Sequence, residues 1–290
     1  MAFRKYKIKK TKRVNRSTGG NVLVFLMLVI LGGFMLMPVV YTVVQAFKPM
    51  EELFLFPPRF TVSNPTVKNF KLIGQLIDNL WVPFSRYTFN SVFVSAAGTA
   101  GNVIIAPMAA YPLAKNDFPA KKFLFRIVTV ALLFSGGVLG LAQYIIMAKL
   151  HMINTYWALI LPSVATPMGL FLMKQFMEGI STSLLEAARI DGMNEFRIYW
   201  SIVMPNVKPA WLTMIIFAFQ GMWSMTGGNF IYKEELKMLP TALAQIQSGG
   251  IARAGVAAAA NLLMFIPPVL MFLITQSSIM ETMAHAGIKE

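Results

Sequence analysis

The sequence contains no cysteine among its 290 residues, which excludes disulfides, thiolate metal sites and a cysteine nucleophile. Histidine is almost as scarce. His151 and His285 are the only two and lie far apart, so the clustered ligands of a metal centre are absent. Charge is thin as well: charged residues make up 13% of the chain, against about a quarter in a typical soluble domain. No G-x-x-x-x-G-K-[ST] phosphate loop occurs, so the chain does not bind ATP by that device. Nor is there a hydrolytic or redox constellation.

Hydrophobic residues make up 56% of the chain and are gathered in charge-free blocks. The uncharged windows are Asn21–Phe47, Tyr87–Ala114, Ile127–Ala148, Met152–Met173, Pro209–Tyr232 and Ala254–Met280. Each is long enough for a helix crossing about 30 Å of hydrocarbon. The expected fold is therefore an all-α membrane protein with six transmembrane helices. The third and fourth windows are parted only by Lys149, Leu150 and His151, which suits a tight outer turn between two spans or a single re-entrant hairpin. The first window is longer than a signal-peptide core and lacks an A-x-A-like cleavage site, so it reads as a retained span.

The net charge of +14 is unevenly placed. Arg4, Lys5, Lys7, Lys9, Lys10, Lys12, Arg13 and Arg16 precede the first window with no acidic residue among them. Such a cluster marks a cytosolic segment (residues 1–20 here) that can touch anionic lipid, rather than a nucleic-acid surface. Six spans put both termini in the cytosol, and Lys115, Lys121, Lys122 and Arg126 fall on that side too, as the positive-inside rule requires. The loops 48–86 and 233–253 are then external. Within the first, Phe70, Ile73, Ile77 and Leu80 recur at helical spacing, widened by Leu72, Leu76 and Trp81. They predict a short amphipathic helix that packs onto the bundle or meets an external partner. Gly98, Gly101, Gly136 and Gly140 allow close helix approach. Pro107, Pro112, Pro162, Pro167, Pro267 and Pro268 are expected to kink or break spans.

The ionisable residues lie at segment ends or in loops. A proton-driven carrier usually needs an intramembrane Asp, Glu or His, and a sodium-coupled carrier can use carbonyls at a broken helix. A self-contained secondary transporter is therefore disfavoured but stays as an alternative. The polar island at about 177–208 offers another energy source. Ser183 and Glu186 form an S-x-x-E capping box for a first short helix. Gly192 sits where that helix would end at positive φ. Asn194 can cap a second helix, which Pro205 is expected to stop.

The run Glu186-Ala187-Ala188-Arg189-Ile190-Asp191-Gly192, followed by Ile202, Pro205 and Pro209, resembles the EAA loop of permease subunits in binding-protein-dependent ABC importers. The resemblance extends over roughly residues 45–290. Asn90-Ser91, Ala109-Ala110-Tyr111, Asn154-Thr155-Tyr156, Leu159-Ile160-Leu161-Pro162 and the run 171–176 are similar to the maltose-type carbohydrate permeases. The ending 281–289 is similar to a Gram-positive branch handling oligosaccharides, including uronate-containing ones. Ser224 after Trp223 and the final Glu290 depart from the family pattern.

The resemblance implies a type I ABC importer permease bundle in a bacterial cytoplasmic membrane. Its partners would be a second permease, two ATPase subunits that bind the ATP and Mg, and an extracytoplasmic solute-binding protein; this chain itself holds no cofactor. Glu186, Ala187, Ala188, Asp191 and Gly192 would couple to the ATPase, and His285, Gly287 and Lys289 in the tail would reach between the ATPase subunits. A sugar path would draw on Gln143, Tyr144, Gln220, Trp223, Ser224, Asn229 and Asn261, each of which reads more readily as a packing or interfacial residue. A permease of the same architecture for a non-sugar solute is the other alternative.

Overall fold

The computed structural model describes residues 18–286 apart from 58, 79–81, 134–135, 249 and 251–252. The basic cluster at 4–16 and Leu80, Trp81, Gly287 and Lys289 thus lie outside the described residues.

The described chain is helical, and the apolar windows become helices. The first is α1, Thr18–Phe47. A short α2, Met50–Leu53, and the amphipathic α3, Lys68–Asp78, follow. The second window is α4, Phe84–Lys115, unbroken by Pro107 and Pro112. The sixth is α14, Ala254–Ala286, which likewise runs through Pro267 and Pro268.

The other three windows do not form unbroken spans. The third is divided into α5, Lys121–Ala131, and α6, Gly136–Lys149. A turn at Leu132 and Leu133 follows α5. The fourth is divided into α7, Trp157–Val164, and α8, Pro167–Glu178. Ala165, between them, has φ −115° and ψ 64°, and Pro167 is at home only in the first turn of a new helix. The fifth, α12, Lys208–Trp223, stops short of Tyr232 because Gly227 and Gly228 take φ of +81° and +47°. Four described helices or near-continuous pairs are long and apolar enough to cross a membrane, and five if the segment before α12, bent by 80° at Val207, is counted with it. The described helices thus account for four or five of the six expected spans.

α4 is the spine. It packs against α7, α8 and α12, while α14 packs against α1, α3, α12 and α13, Leu239–Gln247. The close approaches rest on two glycines. A Cβ on Gly98 would lie 2.5 Å from Met222 Cε and 2.7 Å from Ser163 Oγ, and one on Gly101 would lie 2.6 Å from Val164 Cγ2. Gly140 has no neighbour within 4 Å of such a Cβ, so it contributes no internal seam. The amphipathic α3 turns Ile73 into a core with Leu239, Ala259 and Ala260, which places the helix on the bundle. In contrast α1 is unburied through its most apolar stretch.

The interruption between α7 and α8 is satisfied from the spine. Asn102, fully buried, donates through Nδ2 to Ser163 O at 2.7 Å, Val164 O at 3.3 Å and Thr166 Oγ1 at 2.9 Å. Thr166 in turn caps α8 by accepting from Gly169 N. A broken helix is tolerated in hydrocarbon only when its freed carbonyls find donors in this way.

Candidate functional site

The polar island folds as α9, Thr182–Ile190, a tight turn, and α10, Glu195–Ile198. Helical structure then continues through a π-turn, Tyr199–Val203, and α11, Met204–Asn206. Ser181, not Ser183, is the residue before α9, and no side-chain cap bond forms there. Ser181 and Ser183 hydroxyls instead meet at 2.6 Å. The capping box is therefore corrected: three consecutive hydroxyl residues compete for the position, and Glu186 is left free to face outward in mid-helix.

The end of α9 forms as the sequence predicts. Gly192 takes φ +79°. Its N–H donates to Arg189 O and that of Met193 to Ala188 O, each at 3.0 Å, the paired bonds of a Schellman closure. Asn194 Oδ1 then accepts from Arg197 N at 2.8 Å, capping α10. Pro205 does not stop the second helix. The π-turn absorbs it, since the Met204 N–H reaches back to Tyr199 O, and the chain bends two residues later at Val207.

The two faces of this loop differ. Leu185 and Ala188 are buried, and with Ile198, Tyr199, Val203 and Met204 they join Ala106, Ala110, Met173, Met177 and Ala210 in one core. Ala188 thus anchors the loop to α4, α8 and α12 and is not part of an outward surface. Glu186, Ala187, Arg189 and Asp191 are exposed. So are large apolar side chains, Ile190 at 86% and Phe196 at 65%, which a solvated linker would not present together.

An ionic contact ties the loop to the end of α4. Glu195 accepts from Tyr111 O–H at 2.8 Å on one oxygen and from Arg189 Nε at 2.7 Å on the other. The hydrogen bond from Arg189, then that from Tyr111, holds the Glu195 carboxyl below the usual carboxylate range, and Glu195 pushes Arg189 up. Lys115 donates to Glu178 O at 3.0 Å and to Ile180 O, closing the end of α8. Tyr111 stands in the sequence beside two alanines, and nothing local signals its partner.

At the opposite end of the bundle, Gln143 and Ser224 line a cavity of about 410 Å³ with Pro162, Gly221, Gly227 and Phe230. Tyr144 packs on Phe230, ring centroids 6.3 Å apart, with its hydroxyl 3.5 Å from that of Tyr232. The other residues expected on a sugar path are elsewhere. Trp223 is buried, stacks on Phe219 and donates to Met264 O at 3.0 Å, so it joins α12 to α14. Asn261 accepts from Gln247 at 3.1 Å. Gln220 and Asn229 are exposed and do not line the cavity. Among the described residues no cluster of His, Asp or Glu could hold a metal ion. His285 lies on α14, one residue before its end.

Residues 101–229 match the family described as binding-protein-dependent transport system inner membrane component. The probable ABC transporter permease protein YurM of Bacillus subtilis is 31% identical over 209 residues, 71% of this chain and 70% of YurM. The chain belongs to this permease family. The arabinooligosaccharides transport permease AraQ of Halalkalibacterium halodurans is 27% identical over 87% of the permease and 90% of its own length. The polygalacturonan/rhamnogalacturonan transport permease YtcP of Bacillus subtilis is 33% identical over about half of both chains (52% of each). A crystal structure of a bacterial ABC transporter that imports the acidic polysaccharide alginate superposes with a TM-score of 0.73, at 21% identity over 91% of this chain and 98% of the other.

The permease also carries a clamp that the sequence does not announce. Asn90, fully buried, donates to Glu235 O at 2.9 Å and Lys237 O at 2.8 Å and accepts from Tyr156 O–H at 2.7 Å. Ser91 Oγ accepts from Leu239 N at 2.8 Å. Tyr87 donates to Glu234 at 2.8 Å, and Asn154 Oδ1 accepts from Tyr232 N and Lys233 N. Partial burial opposes the Glu234 charge, but hydrogen bonds from Lys237 and Tyr87 outweigh it and hold the carboxyl low. Together these contacts fix the 224–238 loop that walls the Gln143 cavity.

Proposed function

We propose that this multi-pass permease carries an oligosaccharide across the membrane by alternating access, driven through the 179–207 loop by a separate ATPase. The observation that carries the reading is the two-faced loop. Leu185 and Ala188 fix it to three bundle helices, while Glu186, Ala187, Ile190 and Phe196 are left facing outward. That is the form of an element that receives a push from a docked partner. In this reading the loop end of the bundle is cytosolic, as are both termini. α5 with α6 makes the third of six crossings, and His285, Gly287 and Lys289 reach toward the ATPase pair, which binds ATP and Mg. A second permease and an extracytoplasmic binding protein complete the assembly.

Two variants test the coupling role in the reconstituted transporter. Gly192→Pro removes the N–H that closes α9 and forbids its positive φ, and Glu186→Lys reverses the exposed charge. Both are expected to abolish uptake and stimulated ATP hydrolysis while the chain stays in the membrane. Wild-type uptake in both would make the loop a passive linker. Reporter fusions at residue 18 and after Glu290 test the topology and should both report cytoplasm.

For the substrate, AraQ is named for arabinooligosaccharides and YtcP for polygalacturonan and rhamnogalacturonan, which are uronate polymers. The cavity at Gln143 and Ser224 has no charged lining residue, which favours a neutral sugar because a carboxylate buried there without a cation would be costly. Uptake of matched neutral and unsaturated-uronate di- to tetrasaccharides separates the two readings. Activity with the neutral series alone defeats the uronate branch, and activity with neither, but with an amino acid or inorganic anion, defeats both.

A further inference from the structure

Beside the proposed coupling loop the bundle surface holds a cavity of about 430 Å³ that the coupling role does not use. Val103 and Ile104 of α4, Met204, Pro205, Trp200 and Trp211 line it, and Lys208 is its one charged residue. Trp211 Nε1 donates to Met204 O at 3.2 Å, fixing one indole as a wall. Lys208 is exposed and has no carboxylate partner among the described residues. On α4 the surface continues from the cavity through exposed Ile104, Ile105 and Met108. Here, then, is an aliphatic trough lined also by two indoles and one lysine without a carboxylate partner among the described residues.

The residue types of this trough set its level in the membrane. α4 has 32 residues, about 48 Å of helix against about 30 Å of hydrocarbon, so one end stands proud of the core. Lys208 opens α12, the fifth apolar helix. Trp and Lys together are the residues that settle at the headgroup boundary. A free inorganic anion could use the ammonium but would leave the aliphatic wall bare. A phospholipid uses both, its phosphate at Lys208 and an acyl chain along Ile104 and Met204.

We propose that this trough binds an anionic phospholipid of the inner leaflet, headgroup at Lys208 and acyl chain between α4 and the Trp200–Trp211 wall. The choice of leaflet rests on the cytosolic placement of the loop end proposed above; the choice of ligand does not.

The test uses the complete transporter in nanodiscs of phosphatidylcholine doped with phosphatidylglycerol, with retained lipids counted by native mass spectrometry. Wild type and Lys208→Arg should retain one more phosphatidylglycerol per copy of this chain than Lys208→Gln. The apparent affinity of the Gln variant should be roughly fivefold lower, the worth of one basic residue at an anionic surface. Equal retention in wild type and Lys208→Gln overturns the proposal. So does an equal fall for both lipids, which would report altered groove shape rather than lost charge. A photo-crosslinker at position 208 should label lipid; a product joined to the second permease overturns the proposal by making the trough a subunit contact. Because retention is read without transport, its failure is distinct from a failure of the coupling reading, and reporter fusions settle the leaflet separately.

Discussion

The two ends of α4 hold a loop each, and they hold it by different chemistry. At one end Asn90 and Ser91, both fully buried, bond to backbone groups of the 235–239 segment. At the other, Tyr111 reaches a half-exposed Arg189–Glu195 pair. Buried amide-to-backbone contacts leave costly orphans when broken, whereas partly solvated ion pairs are replaced by water at little cost. One end of the spine is therefore built as a fixed wall and the other as a contact that can be remade. That division suits a permease in which a partner moves one loop while the far cavity keeps its shape.

The comparison is broken most severely at the wall. Asn90→Leu leaves Lys237 O and the Tyr156 hydroxyl unpaired and leaves Glu235 O to Arg86 alone, at about 1–3 kcal/mol for each group that stays buried without a partner. The purified transporter should melt several degrees lower, and unchanged melting would show that the wall is not held there. Gly192→Ala comes next. Nothing lies within 4 Å of the added methyl, so its effect is the backbone cost of positive φ, about 1–2 kcal/mol. Asn at the same position should cost less, and a difference between the two in ATPase stimulation is the readout.

Tyr111→Phe removes one hydrogen bond from a partly exposed carboxylate, and about 1 kcal/mol or less is expected. Its mark should be functional: uptake falls further than melting does, the reverse of the pattern for Asn90. A uniform fall in both would erase the contrast between the ends. The smallest effect is that of pH. The Glu195 carboxyl is held low in the folded chain, so its contacts are fully present above the ordinary carboxylate value of about 4.3 and are lost only as pH falls through the lower folded value. The mobility of a spin label attached beforehand at position 187 should then be flat from pH 8 to 5.5 and rise only in stronger acid. A change near neutrality would assign the contact to another group.

The helices and the loop closure were legible in the sequence because their causes are local. Charge-free windows, Gly192 at the end of α9 and Asn194 before α10 each act within a few residues. What was not legible depends on distance. Asn90 finds its partners 145 and 147 residues downstream, and Tyr111 finds Glu195 84 residues away. Neither pairing leaves a pattern in either segment alone. Trp223 could be read as a sugar platform or as a packing residue because an indole suits both, and only the position of α14 decides between them. Ser183 lost the N-cap position to Ser181 because Ser181, Thr182 and Ser183 offer the same hydroxyl chemistry at successive residues.

The interruption between α7 and α8 has a mechanical meaning. An unbroken rod through the bilayer turns every tilt of one end into an equal and opposite tilt of the other. With the rod cut at Ala165, the half that shares a core with the proposed coupling loop and the half beside the Gln143 cavity are released from that constraint. Asn102 is then the pivot pin of that joint, a single amide that grips both pieces from the side. The fourth apolar segment is less a strut than an elbow.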